Sequence, residues 1–176
     1  MDFCFNSICM KGIYLHGYQG YVTEEKKEFL NNYGDIYAPN INYDENPSII
    51  LNLLNDFKED KFDFVSGTSL GGLFAYHMAL KLDIPCLLLN PAVTAVEIIK
   101  DFLPENTVGK SPNNTVNVIV GMKDEIIAPS IQLDFFNRLN DPKELINIKK
   151  YEDLGHFVPL DIFEESFNQF RIKLMK

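Results

Sequence analysis

The sequence predicts an α/β protein, a three-layer αβα sandwich with a mostly parallel six-stranded sheet at its centre. Three observations predict it. Short apolar runs alternate along the chain with longer amphipathic stretches. No internal repeat or low-complexity tract breaks that alternation. The length of 176 residues, with 46% hydrophobic residues, suits one domain with a core that needs neither disulfides nor metal staples.

The elements follow in order. Ile13-Tyr14-Leu15 reads as a strand that stops at His16-Gly17. Residues 23–32 read as a helix with Thr23 as N-cap and acids in the first turn. A short strand over 35–38 ends at Pro39. Residues 47–58 carry apolar side chains at 49, 50, 53, 54 and 57, which is helical spacing. A strand over 62–65, a helix over 70–82 and a buried strand over 84–89 come next. A helix over 92–102 stops before Pro104, and a strand over 116–120 follows. A helix over 128–139 has Pro129 in its first turn. A strand over 145–151 and an amphipathic helix over 161–174 complete the chain. Right-handed crossovers then restrict the topology, and the expected strand order is 2-1-3-4-5-6. In that order the first and third strands are neighbours and the chain reverses direction between them. Ligands in open α/β sheets bind beyond the strand C-termini at such a point. The loops brought there are 16–20 and 67–71.

Composition excludes several classes. Lys plus Arg is 16 and Asp plus Glu is 25, a net charge of −9. That lacks the basic footprint of a nucleic-acid binder and argues against docking on anionic membranes. Three cysteines, Cys4, Cys9 and Cys86, are not a disulfide framework, and Cys4 and Cys9 lack partners at metal-site spacing. Cys86 sits in an apolar run and reads as core. There is no signal-peptide pattern and no apolar stretch of membrane-spanning length, so a reducing cytoplasm is the expected location. Met10 stands directly before Lys11-Gly12-Ile13, so residues 1–9 read as a dispensable extension to a single domain.

Gly67-Thr68-Ser69-Leu70-Gly71 fits the nucleophile-elbow pattern G-x-S-x-G. The nucleophile there sits on a strained strand-to-helix turn, tolerable only where the flanking positions carry no clashing side chain. The bare pattern arises by chance in about one chain in twenty of this length. Its context, a strand-like 62–65 before and a helix-like 70–76 after, is what sharpens it. No G-x-x-x-x-G-K-[ST] or G-x-G-x-x-G supports a nucleotide-binding alternative.

A serine hydroxyl needs a base, and the base an orienting acid. Around an elbow of this kind the chain order is Ser, acid, His. Two histidines follow Ser69. His77 lies eight residues on along the same helix, ~12 Å away by helix rise, and cannot reach the hydroxyl. His156, between the last strand and last helix and next to Gly155, is the candidate base. The candidate acid is Asp124, in the loop after the fifth strand. Glu125 beside it is its rival and Asp153 a more distant one. The oxyanion donors are expected to be the backbone amides of Leu70 and of Tyr18, in the His16-Gly17-Tyr18 loop. His16 itself reads equally as a structural residue holding that loop and as a functional one.

With these residues in hand, the chain resembles the α/β-hydrolase superfamily, and within it the YqiA-like family of small bacterial esterases. The resemblance rests on Tyr14-Leu15-His16-Gly17-Tyr18, Gly67-Thr68-Ser69-Leu70-Gly71-Gly72, Leu89-Asn90-Pro91-Ala92-Val93, Gly121-x-x-Asp124-Glu125 and Gly155-His156-Phe157. The Asn-Pro-Ala-Val segment is the most family-specific of these. The resemblance implies hydrolysis of small-molecule carboxylic esters or acyl thioesters without cofactor or metal. It places triad roles on Ser69, Asp124 and His156, and oxyanion roles on Tyr18 and Leu70. Larger hydrolases insert a cap domain after the strand that follows the nucleophile helix. Here only residues 90–114 are available, so an open site edged by Tyr18, Tyr21, Val93 and Phe157 is expected. A binding or scaffold protein on the same fold is the rival from another class. Oligomeric state is not legible.

Overall fold

The computed structural model describes residues 10–139 and 143–175; residues 1–9, and with them Cys4, Cys9 and the proposed extension, lie outside the described residues. Six strands, β1 (Met10–Leu15), β2 (Gly34–Tyr37), β3 (Phe64–Thr68), β4 (Cys86–Leu89), β5 (Val116–Gly121) and β6 (Ile146–Tyr151), form one sheet in the order 2-1-3-4-5-6. Every pairing is parallel. The helices are α1 (Glu24–Tyr33), α2 (Ile49–Asp56), α3 (Leu70–Leu82), α4 (Val96–Ile99), α5 (Pro129–Arg138) and α6 (Leu160–Leu174). None of them, among the described residues, is long and apolar enough to cross a membrane.

The chain reversal between β1 and β3 sorts the helices onto two faces, as right-handed crossovers require. Leu30 and Tyr33 of α1 pack with Phe163, Phe167 and Phe170 of α6 on one face of the sheet. Ile50 and Leu53 of α2, Phe74 to Met78 of α3 and Phe136 of α5 pack on the other. The first core is aromatic: Tyr14 meets Phe163 edge-on at 5.2 Å, and Tyr33 meets Phe167 at the same separation. Such edge contacts add about 1 kcal/mol each to the burial of apolar area. Cys86 is fully buried in the second core.

The first strand begins three residues earlier than expected, at Met10, and two further departures bear on the site. The third strand runs on through Ser66, Gly67 and Thr68, although Ser66 and Gly67 have weak strand preference. They are held there because Gly67 pairs with Leu15 on one side and Leu88 on the other. The helix expected over 92–102 is broken into a 3₁₀ turn at Val93–Ala95, the single turn of α4 and a second 3₁₀ turn at Lys100–Phe102. Its start is tied down by the Ala92 N–H, which donates to Ser69 O at 3.0 Å. The β-branched Val93, Thr94 and Val96 do little to favour an α-helix over that constraint.

His77 is packing, not chemistry. Its ring is buried in α3, and Nδ1 lies 2.8 Å from Thr107 Oγ1, which donates its own proton to Pro104 O. The ring proton therefore sits on Nδ1, and among the described residues Nε2 has no polar partner. Burial lowers its pKa to about 4. The unfolded ring takes up a proton near 6.5, but the folded ring does not until about 4. This stabilising contribution is complete above the unfolded pKa and is lost as pH falls from 6.5 towards 4, by at most ~3 kcal/mol. Denaturant unfolding at pH 7 and pH 5 should show a smaller loss of stability in His77→Leu than in the wild type. Parallel pH dependences in the two proteins would contradict this.

Candidate active site

The C-terminal ends of β1, β3, β4, β5 and β6 all open on one edge of the sheet, and each delivers a residue there. β3 delivers Ser69. Its backbone is strained, with φ 53° and ψ −120°, a conformation that costs a non-glycine residue about 1–3 kcal/mol. Three hydrogen bonds hold it: Ser69 N–H donates to Leu89 O (2.9 Å), and Ser69 O accepts from Leu73 N–H and Ala92 N–H (both 3.0 Å). The flanking glycines are required by contact. A Cβ on Gly67 would lie 2.2 Å from Gly71 O, and one on Gly71 would lie 2.2 Å from Leu15 O. The strand, the turn and α3 can close this tightly only without those side chains.

The loop after β6 brings His156 Nε2 to 3.0 Å from Ser69 Oγ. The loop after β5 brings Asp124 Oδ2 to 2.9 Å from His156 Nδ1. The Asp124 side chain is fully buried, and His156 keeps 11% of its side-chain surface exposed. Asp124 Oδ1 accepts from the backbone N–H groups of Ile126 (2.9 Å) and Ile127 (2.8 Å), and Oδ2 also accepts from Gln132 Nε2 (3.2 Å). These bonds fix the orientation of the carboxylate. Glu125 is exposed, and Asp153 is turned outward to Lys123 at 2.6 Å, so of the three acids only Asp124 meets the imidazole.

His16 is an anchor. Its buried ring accepts from Ile41 N–H at Nε2 (2.7 Å), which leaves Nδ1 to donate to Gly17 O (2.7 Å). Tyr43 Oη donates to His16 O (2.7 Å). The loop so held lies against Ser69: a Cβ on Gly17 would sit 3.2 Å from Ser69 Cβ. Leu70 begins α3, so its N–H is one of the first-turn donors that a helix leaves unpaired.

Asn90 is a residue whose role the sequence reading did not find. Fully buried at the end of β4, it has φ 45°, which Asn tolerates better than most residues. Its Oδ1 accepts from Gly121 N–H (2.7 Å), and its Nδ2 donates to Gly155 O (2.8 Å) and His156 O (3.0 Å). One side chain thus ties the end of β5 to the loop that carries the imidazole. The available signal was a polar residue between the apolar run 84–89 and Pro91-Ala92-Val93, because a polar group buried there must have partners.

A cleft of about 310 Å³ opens over Ser69 and His156. Tyr18, Tyr21, Ile126 and Phe157 border it, and all four are exposed, Phe157 by 84%. Val93, expected at the rim, is instead buried in the core, because the 3₁₀ turn directs it inward. Among the described residues no part of 90–114 borders the cleft, and this segment packs over α3, where Tyr76 Oη donates to Lys110 O (2.7 Å). Among the described residues, no group of three or more His, Cys, Asp or Glu is placed to hold a metal ion.

The sheet order, the elbow and the five converging loops define the α/β-hydrolase fold. Solved structures of that fold superpose over nearly the whole chain. Est1E from Butyrivibrio proteoclasticus is 17% identical with a TM-score of 0.68, covering 95% of this chain and 88% of its own. Acyl-protein thioesterase 2 of Zea mays is 13% identical with a TM-score of 0.63, covering 94% of each chain. The thermophilic esterase Est2 of Thermogutta terrifontis is 11% identical with a TM-score of 0.64, covering 95% and 83%. The chain belongs to the family described as Uncharacterised protein family (UPF0227), which matches residues 11–119 and is the YqiA-like family that the motifs resemble. No curated protein matches the sequence.

Proposed function

We propose that this protein is a serine hydrolase that cleaves carboxylic esters or acyl thioesters through an acyl-enzyme. The observation that carries the proposal is the unbroken chain from Ser69 Oγ through His156 to the buried Asp124 carboxylate. Ser69 Oγ attacks the acyl carbon while His156 Nε2 takes its proton, and the imidazolium is stabilised by Asp124. The carbonyl oxygen becomes an oxyanion facing the backbone N–H groups of Leu70 and Tyr18. His156 returns the proton to the departing alcohol or thiol, leaving the acyl group on Ser69. Water, deprotonated by the same imidazole, then releases the acid and restores the serine. The apolar rim of Tyr18, Tyr21, Ile126 and Phe157 suits an acyl chain, and an uncapped cleft suits a range of them. A panel of p-nitrophenyl esters and acyl thioesters tests the proposal. At least one class should turn over. Inactivity of the folded protein towards both would leave the fold as a binding scaffold.

Asn90 acts in this scheme as a positioning residue. Asn90→Ala strips partners from Gly121 N–H and the Gly155 and His156 carbonyls, a cost of about 2–4 kcal/mol. Asn90→Asp keeps the acceptor for Gly121 but sets a carboxylate oxygen against two carbonyls, and should be no milder. Both variants should lower kcat by ~10–100-fold with little change in KM, since the imidazole loses its aim and the cleft does not. A melting-temperature drop with unchanged kcat would mean that Asn90 serves stability alone.

A further inference from the structure

In a chain of net charge −9, the one Asp, Glu, Lys or Arg side chain that borders the cleft over Ser69, among the described residues, is a lysine. Lys26 projects from the first turn of α1, half-buried, with its ammonium 4.9 Å from the centre of the Phe163 ring. Its Nζ donates one hydrogen bond, to Val158 O at 3.3 Å. Among the described residues it makes no ion pair, although its neighbour Lys27 takes Glu24 at 2.7 Å. Desolvating an ammonium without a carboxylate is unfavourable, and the resulting loss of hydration lowers its pKa. A fold under no demand at this position would let so long a side chain reach water instead. Val158, which receives its hydrogen bond, also borders the cleft and lies two residues beyond His156, a span of at most ~7 Å.

We propose that Lys26 is a specificity-determining residue and that the cleft takes substrates carrying a carboxylate on the arm that crosses it. This rests on the reading of Ser69 as the nucleophile and adds the substrate class: half-esters or half-thioesters of dicarboxylic acids, or esters of hydroxy acids. A monoanion matches the chemistry better than a phosphate does. Lys26 supplies one charge, Lys binds as a point charge without the bidentate fork of Arg, and a dianion would leave one charge uncompensated in an acidic protein. Tyr18, at the same rim, donates its hydroxyl to Asp44 (2.9 Å) and so offers its apolar ring to the cleft.

The test uses the full chain and three p-nitrophenyl esters of equal acyl length: hexanoate, the adipate monoester and 6-(trimethylammonio)hexanoate. A companion series carries the same three charge types on the alcohol of a hexanoate ester. The overall charge of the protein favours the cation, so the local effect of Lys26 is read against its background. Expected in at least one series is a kcat/KM order of anionic, uncharged, cationic, with steps of about threefold, as a partly exposed charge pair gives. Lys26→Glu should reverse the order, and Lys26→Gln should flatten it if the Glu variant does not fold. A wild type that ranks the anionic ester no higher than the uncharged one in both series, or an order that survives both substitutions, overturns the proposal. Failure to cleave any ester, the uncharged one included, would instead overturn the reading of Ser69.

Discussion

Ser69→Ala is expected to leave a folded protein with turnover of esters reduced on the order of a million-fold, down to what binding and the oxyanion donors alone provide. The fold should tolerate it. The strained φ of 53° is already borne by a non-glycine residue, and the hydrogen bonds that hold the turn use the backbone of Ser69, not its hydroxyl. The melting temperature should therefore shift by only a few degrees. What disappears is the one oxygen placed 3.0 Å from His156 Nε2. Steady-state kinetics with the best ester of the panel, on samples with matching circular dichroism, measures this. Retained activity would move the chemistry away from the elbow altogether.

Asp124→Asn should be the next most damaging change, lowering kcat by up to ~10⁴-fold. An asparagine can still accept the Ile126 and Ile127 amides through its carbonyl oxygen. Its NH₂ then faces His156 Nδ1 and Gln132 Nε2, where the carboxylate accepted from both. The imidazole must turn its Nδ1 lone pair to that NH₂ and carry its proton on Nε2, so it can no longer receive the proton of Ser69. Glu125→Gln should be mild because that side chain is exposed, and so should Asp153→Asn, whose partner is Lys123. Kinetics of the three variants side by side decide the acid. A crippled Glu125→Gln beside an active Asp124→Asn would contradict the hydrogen-bond geometry.

The parts of the fold legible in the sequence were those governed by local rules. Residues 70–82 form a helix with the expected bounds because no proline interrupts that stretch and its two glycines, Gly71 and Gly72, lie in the first turn, and Thr23 caps α1 by accepting from Lys26 N–H at its Oγ1. Strand order followed from alternation and handedness. The parts not legible were decided by distant partners. Ser66 and Gly67 are strand residues because two neighbouring strands pair with them, and the 92–102 helix fragments because Ala92 is held by Ser69. Candidate site residues could be listed from spacing, but Asp124 could not be separated from Glu125 by position alone. Burial and the two isoleucine amides separate them. Val93 pointed inward for the same reason that the helix broke. Lys26 lies in a segment where a lysine is unremarkable, and the polarity of Asn90 between two apolar runs signalled only that it needs partners; the packed structure brings one to the cleft and the other to the imidazole loop.

The most direct measurement of the central claim is covalent labelling with a fluorophosphonate, followed by peptide mapping. It reports nucleophile and base together and needs no knowledge of the natural substrate. The hydroxyl–imidazole–carboxylate chain predicts one adduct, on Ser69, formed rapidly in the wild type, absent in Ser69→Ala, slowed by orders of magnitude in His156→Ala and unaffected by His77→Leu. An adduct on another residue, or one that forms at the wild-type rate without His156, would contradict it.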